Sequence, residues 1–437
     1  MNTRELVESE EAEPHLDIYK DHSVLYDGGN IYPYEEGKQS DEAKARYELI
    51  QEELGNGFLN KMLDRVKKEG LSEELEEDDK RLLLDFANGI TSNCGRGLIA
   101  VGIQQLTIKS ICPEQSVRLH KASNQKNSFS WQEGISMRSI DSSYVTPFLR
   151  ENGLLKLNAD GAFMTRSLAE NYPFTKLYKA KLQGPREKWL ELVDRLEDGS
   201  IVAPSALEFM LAFLQNKSEV FAKKCDEAIG ALDAASDITL EKAERAVKGF
   251  LRDTDYAARA FEISIHAFMQ ALIDLHYAED RLESLSQMRS ANKKHGNVGD
   301  IETKEGNDIL ESWDAKYKKP YLIDELAELE DKLETAPRVA IAGFVTDGEP
   351  DLTSDVLSKM EDIENEFDTA VKILSLHDWL DYQIDINYVS NKNELGAAWI
   401  RALVESLTLR RMSMAPIDEP CDKWVEDITK VLKRSFK

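Results

Sequence analysis

Apolar residues recur at helical spacing over most of the chain and at strand spacing mainly near residues 300–375. Residues 40–54, 57–69, 80–88 and 97–110 carry apolar positions three and four apart, which predicts four helices. Residues 1–40 show no such period. Asp27-Gly28-Gly29-Asn30 and Pro33 are turn formers, so this stretch reads as irregular. Residues 139–151 read as a helix interrupted near Pro147. Residues 153–161 read as a turn or wing over Leu154, Leu155 and Leu157, and 163–172 as a second helix. Trp189, Leu190, Val193 and Leu196 predict a helix over 186–197. Helices over 201–226 and 239–250 follow. Ala203-Pro204 marks a break, and Asp237 or Thr239 is a candidate cap.

Beyond residue 253 the period changes. Residues 255–276 form a long helix with Phe261, Ile265, Phe268, Leu272 and Leu275 on its apolar side and Glu262 among them; His266 and His276 on this stretch read as structural. Two extended runs then flank Glu305-Gly306-Asn307-Asp308, which predicts a β-hairpin. Alternation along its second arm puts Leu310, Ser312, Asp314 and Lys316 on one face. Ile309, Glu311, Trp313, Ala315 and Tyr317 take the other, and Asp300 lies across the hairpin. A helix over 321–334, a strand over 339–345, a helix over 353–367 and a strand over 369–376 follow, then a helix capped by Asp378 and helices over 394–411 and 422–434. The expected fold class is α/β (α+β), with a helical first part and a small mixed sheet flanked by helices. Three regions are expected, at 1–110, 111–235 and 236–437.

Composition narrows the setting. The 437 residues, 42% hydrophobic and 31% charged, describe a soluble globular protein with room for two or three domains. No run of 18 apolar residues exists, and the acidic N-terminus lacks the apolar core of a secretory signal. Four scattered cysteines form no CxxC pair, so neither a zinc site nor a disulfide framework is indicated and a reducing cytoplasm is expected.

Charge adds a further distinction. The net charge is −26, yet residues 101–190 hold 13 Lys/Arg against 7 Asp/Glu, while residues 1–80 hold 10 against 23. The basic segment reads either as a phosphate-contacting surface or as ordinary variation in surface charge. On the first reading, the nucleic-acid contacts are Arg118, His120, Lys121, Asn124, Gln125, Lys126, Arg138 and Arg166. Short helices around a tight turn would place them in a helix-turn-helix or winged arrangement. Lys293 and Lys294, in the basic connection RSANKKHGN that leads into Asp300, would clamp a phosphate backbone.

Two carboxylates and an ammonium at one end of a small sheet are what a phosphodiester hydrolase needs: oxygens to hold a divalent cation, and a cation to orient water or steady developing charge. Glu262, Gly299-Asp300 and Asp314-Ala315-Lys316, in that order, resemble the PD-(D/E)xK nuclease superfamily, and within it type II restriction endonucleases. The resemblance covers about residues 255–345. It departs from the family in having Val298-Gly299 before the first Asp instead of Pro, and Asp as the second acid. It implies that Asp300 and Asp314 bind Mg²⁺, that Lys316 positions or activates the attacking water, and that Glu262 completes the metal shell. It further implies double-stranded DNA as substrate, a homodimer and a companion DNA methyltransferase. The competing readings are a non-catalytic DNA-binding or scaffold protein of a defence system, and a nuclease that cuts only modified DNA.

Overall fold

The alternation around Trp313 produces the expected hairpin in the computed structural model of the chain. This structure describes residues 13–27, 29–70, 74–89, 96–122, 130–157, 159–162, 172–178, 182, 184–279, 281–285, 297–319, 321–409 and 420–436. The chain divides into two compact units, Met1–Glu219 and Val220–Lys437. The boundary therefore falls before the expected one at 235/236, and residues 1–110 share a unit with residues 111–219.

The first unit opens with strands, not with irregular chain. β1 (His15–Ile18), β2 (His22–Asp27) and β3 (Asn30–Glu35) form an antiparallel sheet in the order β1-β2-β3. Only one thin face is apolar: Leu25 and Tyr34 pack with Leu119 and Trp131, which arrive about a hundred residues later. Pro33 sits in the edge strand β3, where its missing N–H costs no ladder bond. Helices α1 (Asp41–Gly55), α2 (Phe58–Glu69), α3 (Glu77–Asn88) and α4 (Arg96–Ile111) follow. α4 is buried along most of its length, its polar Gln104, Gln105, Thr107 and Lys109 included. The stretch expected as one broken helix is α5 (Met137–Ile140), a π-helical turn at Asp141–Val145 and α6 (Thr146–Glu151). The expected second helix at 163–172 lies, but for Tyr172, outside the described residues. α7 (Arg186–Asp198) packs on α4, with Trp189 Nε1 donating to Gln105 Oε1 at 2.8 Å. α8 (Ala203–Asp233) starts at the expected break, with Pro204 in its first turn where no N–H is needed, and runs on past residue 219.

The second unit is built around a four-stranded mixed sheet. Thr239 caps α9 (Leu240–Asp253), and α10 (Ala257–Asp274) follows. β4 (Ile301–Glu305) and β5 (Asp308–Lys316) pair antiparallel around Gly306, whose φ is +64°. β5 then pairs parallel with β6 (Val339–Thr346), and β6 parallel with β7 (Ala370–Ser375). α11 (Leu322–Leu333) and α12 (Ser354–Phe367) make the two crossovers. α13 (Leu376–Ile386), α14 (Lys392–Leu409) and α15 (Cys421–Ser435) complete the unit. Its element order is the one expected from the sequence. Ser375, rather than Asp378, caps α13: its Oγ accepts the Asp378 N–H at 3.2 Å.

The sheet separates two cores. Ile301, Trp313 and Val345 face one that includes residues of α9, α10, α13, α14 and α15. Ala342, Phe344, Val371 and Ile373 face α11 and α12 on the other side. Ile309 was expected on the Trp313 face but lies in the α11 core. The cause is a bulge at Thr303/Lys304, which shifts the register and breaks the alternation between Ile309 and Trp313. Gly343 permits the closest approach within the sheet, since a Cβ there would lie 2.0 Å from the Lys372 carbonyl oxygen and 2.9 Å from the Trp313 ring. Gly343→Ala is expected to cost about 1–3 kcal/mol as overpacking. The check is a drop in the urea midpoint with an unchanged slope.

Candidate active site

The pairing of β4 with β5 continues one residue past the strand, because Asp300 N–H donates to the Trp313 carbonyl at 3.0 Å. Asp300 Oδ2 in turn accepts the Ala315 N–H at 3.1 Å. Asp300 and Asp314 therefore meet at one end of the hairpin. Gly299 explains why no proline precedes Asp300. A Cβ at 299 would lie 2.6 Å from Ser312 Oγ, and the Gly299 N–H donates to Glu302 Oε1 at 3.1 Å, a bond proline lacks.

Glu302 organises this turn. It is 2% exposed, and its Oε1 accepts the Val298 N–H at 2.6 Å and Ser312 Oγ–H at 3.4 Å besides Gly299. Its Oε2 lies 2.9 Å from Lys304 Nζ. Glu302 thus fixes the backbone that presents Asp300. The sequence reading passed over it, although a carboxylate two residues from Asp300 on the same strand face was a signal.

Asp314 is 5% exposed and sits between two ammonium groups, Lys316 Nζ at 3.1 Å and Lys332 Nζ at 3.5 Å. Lys316 also pairs with Glu325 Oε2 at 2.5 Å and lies 5.0 Å above the Phe344 ring. Burial disfavours the charge on Lys316, but Asp314 and Glu325 more than offset this and raise its pKa. The lysine is accordingly a fixed cation at neutral pH. Lys332 is raised in the same way, burial again being outweighed by Asp314 and Glu328. Glu325 and Lys332 were not anticipated. They lie seven residues apart on α11, hence on one face, and the crossover brings that face over Asp314.

Glu262 reaches the same corner from α10. It is 8% exposed and ion-paired with the buried Arg259 one turn earlier. Burial, then Asp314, then Glu262 push the Asp300 carboxyl well above its usual range, against the opposing pull of the Ala315 N–H and Lys316. Asp300, Asp314, Glu262 and Lys316 are thus one electrostatic cluster. A carboxylate whose ionisation is hindered by two acidic neighbours is in a surrounding that a divalent cation relieves. Among the described residues, no three His, Cys, Asp or Glu side chains form a ready-made metal shell. Asp300 and Asp314 are the residues at this corner whose oxygens could hold a divalent cation.

The proposed nucleic-acid contacts are placed differently. Arg118 is 5% exposed and donates to the Phe174 carbonyl at 2.8 Å and to Asp194 Oδ1 at 2.7 Å. A guanidinium so held ties the 118 segment to α7 and presents nothing to a phosphate. His120 is buried and stacks on Phe174 with ring centroids 4.4 Å apart. Lys121 is half-buried and Arg138 is exposed on α5. Asn124, Gln125, Lys126, Arg166, Lys293 and Lys294 lie outside the described residues. No protein-family model matches the chain, and comparison with curated proteins finds no match. No described helix is long and apolar enough to cross a membrane.

Proposed function

We propose that the chain is a Mg²⁺-dependent endonuclease that hydrolyses phosphodiester bonds in double-stranded DNA, in the manner of a type II restriction enzyme with a PD-(D/E)xK-like core. The observation that carries this reading is the meeting of Asp300, Asp314 and Lys316 at one end of the β4–β5 hairpin, with the Asp300 carboxyl raised by burial and by its acidic neighbours. A bound Mg²⁺ would polarise the scissile phosphate and acidify a water ligand. Asp300 and Asp314 would hold the ion, with Glu262 beside them. Lys316, kept cationic by Asp314 and Glu325, orients the water and steadies charge on the phosphate; it is not the base that removes the proton. Cutting both strands calls for two such sites, so the active form is a homodimer, and a companion methyltransferase protects the host sequence.

One observation favours a second reading. Asp314 is engaged by two lysines and Glu262 by Arg259, a closed ionic network that a non-catalytic DNA-binding or scaffold protein could also keep. Incubating the purified protein with phage or plasmid DNA in Mg²⁺ and in EDTA separates the two. Discrete, Mg²⁺-dependent fragments are expected. Retarded but intact DNA under both conditions would support the scaffold.

A further inference from the structure

α9 and α15 pack against each other in the second unit and leave a groove of about 450 Å³ between them. Arg245, Lys248, Arg252 and Arg434 line it, with Asp253 as its one acid. This concentration of cations stands in a chain of net charge −26. Lys248 is paired with Glu244 at 2.7 Å and Arg252 with Asp253 at 3.0 Å, but Arg245 and Arg434 form no ion pair among the described residues. Helix dipoles suit Arg252 and Arg434, in the last turns of α9 and α15, but not the rest of the set. Arg245 lies within the first half of α9, away from the negative C-terminal end.

Gly249, in the interior of α9, also lines the groove. A helix-interior glycine costs about 1 kcal/mol relative to alanine. Nothing in the fold requires it, because a Cβ at 249 would meet no atom within 4 Å. Gly230 repeats the arrangement. It lies inside α8, has open space above it, and lines the adjoining hollow of about 700 Å³ that shares Arg434. Bare backbone facing open space beside unpaired arginines suits the close approach of a ligand's own charged backbone.

The helix that forms one wall of the groove is tied to the strand that carries Asp314 and Lys316. Leu251, next to Arg252, accepts a hydrogen bond from Tyr317 Oη at 3.1 Å, and Tyr317 directly follows Lys316. Arg245, Lys248 and Arg252 recur at i, i+3 and i+7 and so share one helix face over roughly 10 Å. That length spans about three phosphates at roughly 3.4 Å of rise per nucleotide in B-form DNA.

We infer that the groove between α9 and α15 is where the phosphate backbone of duplex DNA lies as it leaves the Asp300–Asp314 corner. A ridged, regularly charged backbone suits a concave groove lined by cations at helical spacing. The inference takes its substrate from the DNA-cutting reading, but its test does not depend on cutting.

The experiment is fluorescence anisotropy of a labelled 20-base-pair duplex over a salt series in EDTA, with folding checked by circular dichroism. Wild-type protein binds, and the triple variant Arg245→Ala/Arg252→Ala/Arg434→Ala weakens binding by about tenfold or more and flattens the salt slope by about 3, one per lost phosphate contact. Gly249→Glu, for which the fold has room, weakens binding in the same direction. Unchanged affinity and slope in both groove variants overturn the inference, as does wild-type protein that binds anionic vesicles but not the duplex. Groove-dependent binding without cleavage in Mg²⁺ upholds the groove and removes the nuclease reading instead.

Discussion

Asp300→Asn is expected to lower cleavage by about a thousandfold and at the same time to make the protein more stable. The amide keeps the oxygen that accepts the Ala315 N–H but removes a charge repelled by Asp314 and Glu262. Removing that repulsion is worth about 1 kcal/mol, or roughly 2–4 °C in Tm for a unit of this size. The pH dependence has a definite sign. Asp300 holds its proton more tightly folded than unfolded. From about pH 4, where the unfolded carboxyl titrates, up to the raised folded value, the wild-type loses stability as pH rises. The advantage of Asp300→Asn therefore grows as pH rises from about 4 towards the raised folded value. Thermal melts of both proteins across that range check it, and a variant less stable at every pH would contradict the electrostatic cluster.

Glu302→Ala is expected to be the most damaging single change near the site, at about 3 kcal/mol or more. It strands the Val298 and Gly299 N–H groups and leaves Lys304 without its buried partner. A loss of that size lowers Tm by roughly 6–12 °C. Cleavage falls with it, because the turn that aims Asp300 is no longer held. Chemical denaturation measures the first effect, and a shift under 0.5 kcal/mol would show that Glu302 does not organise the turn. Single-turnover cleavage below the melting transition measures the second.

The sequence made the second unit legible because each element there carries its own period. The hairpin is marked by Gly306 between alternating runs, α11 by Leu322, Leu326, Leu329 and Leu333, and β6 by an uninterrupted apolar stretch. The bulge was invisible, since it arises from pairing between strands and no residue type announces it. The first sheet was missed because its apolar partner, Trp131, is distant in sequence and its own strands bury little. Residue type likewise misled at Arg118: a cation in a basic segment invites a phosphate, but Asp194, 76 residues later, claims it inside the fold. Glu325 and Lys332 stayed hidden for the same reason, because only the β5–α11–β6 crossover reveals that they face Asp314 and Lys316. Asp314 and Lys316 were legible because strand alternation brings them to one face, and Asp300 because a hairpin around Gly306 sets it across from them.

The central claim is that Asp300 and Asp314 together hold a divalent cation, and calorimetric titration of Mg²⁺ into the protein at pH 7.5 tests it most directly. Wild-type protein is expected to bind one ion per chain, and Asp300→Asn/Asp314→Asn to give no binding heat. Equal binding by the wild type and the double variant, or none by the wild type, would contradict the account.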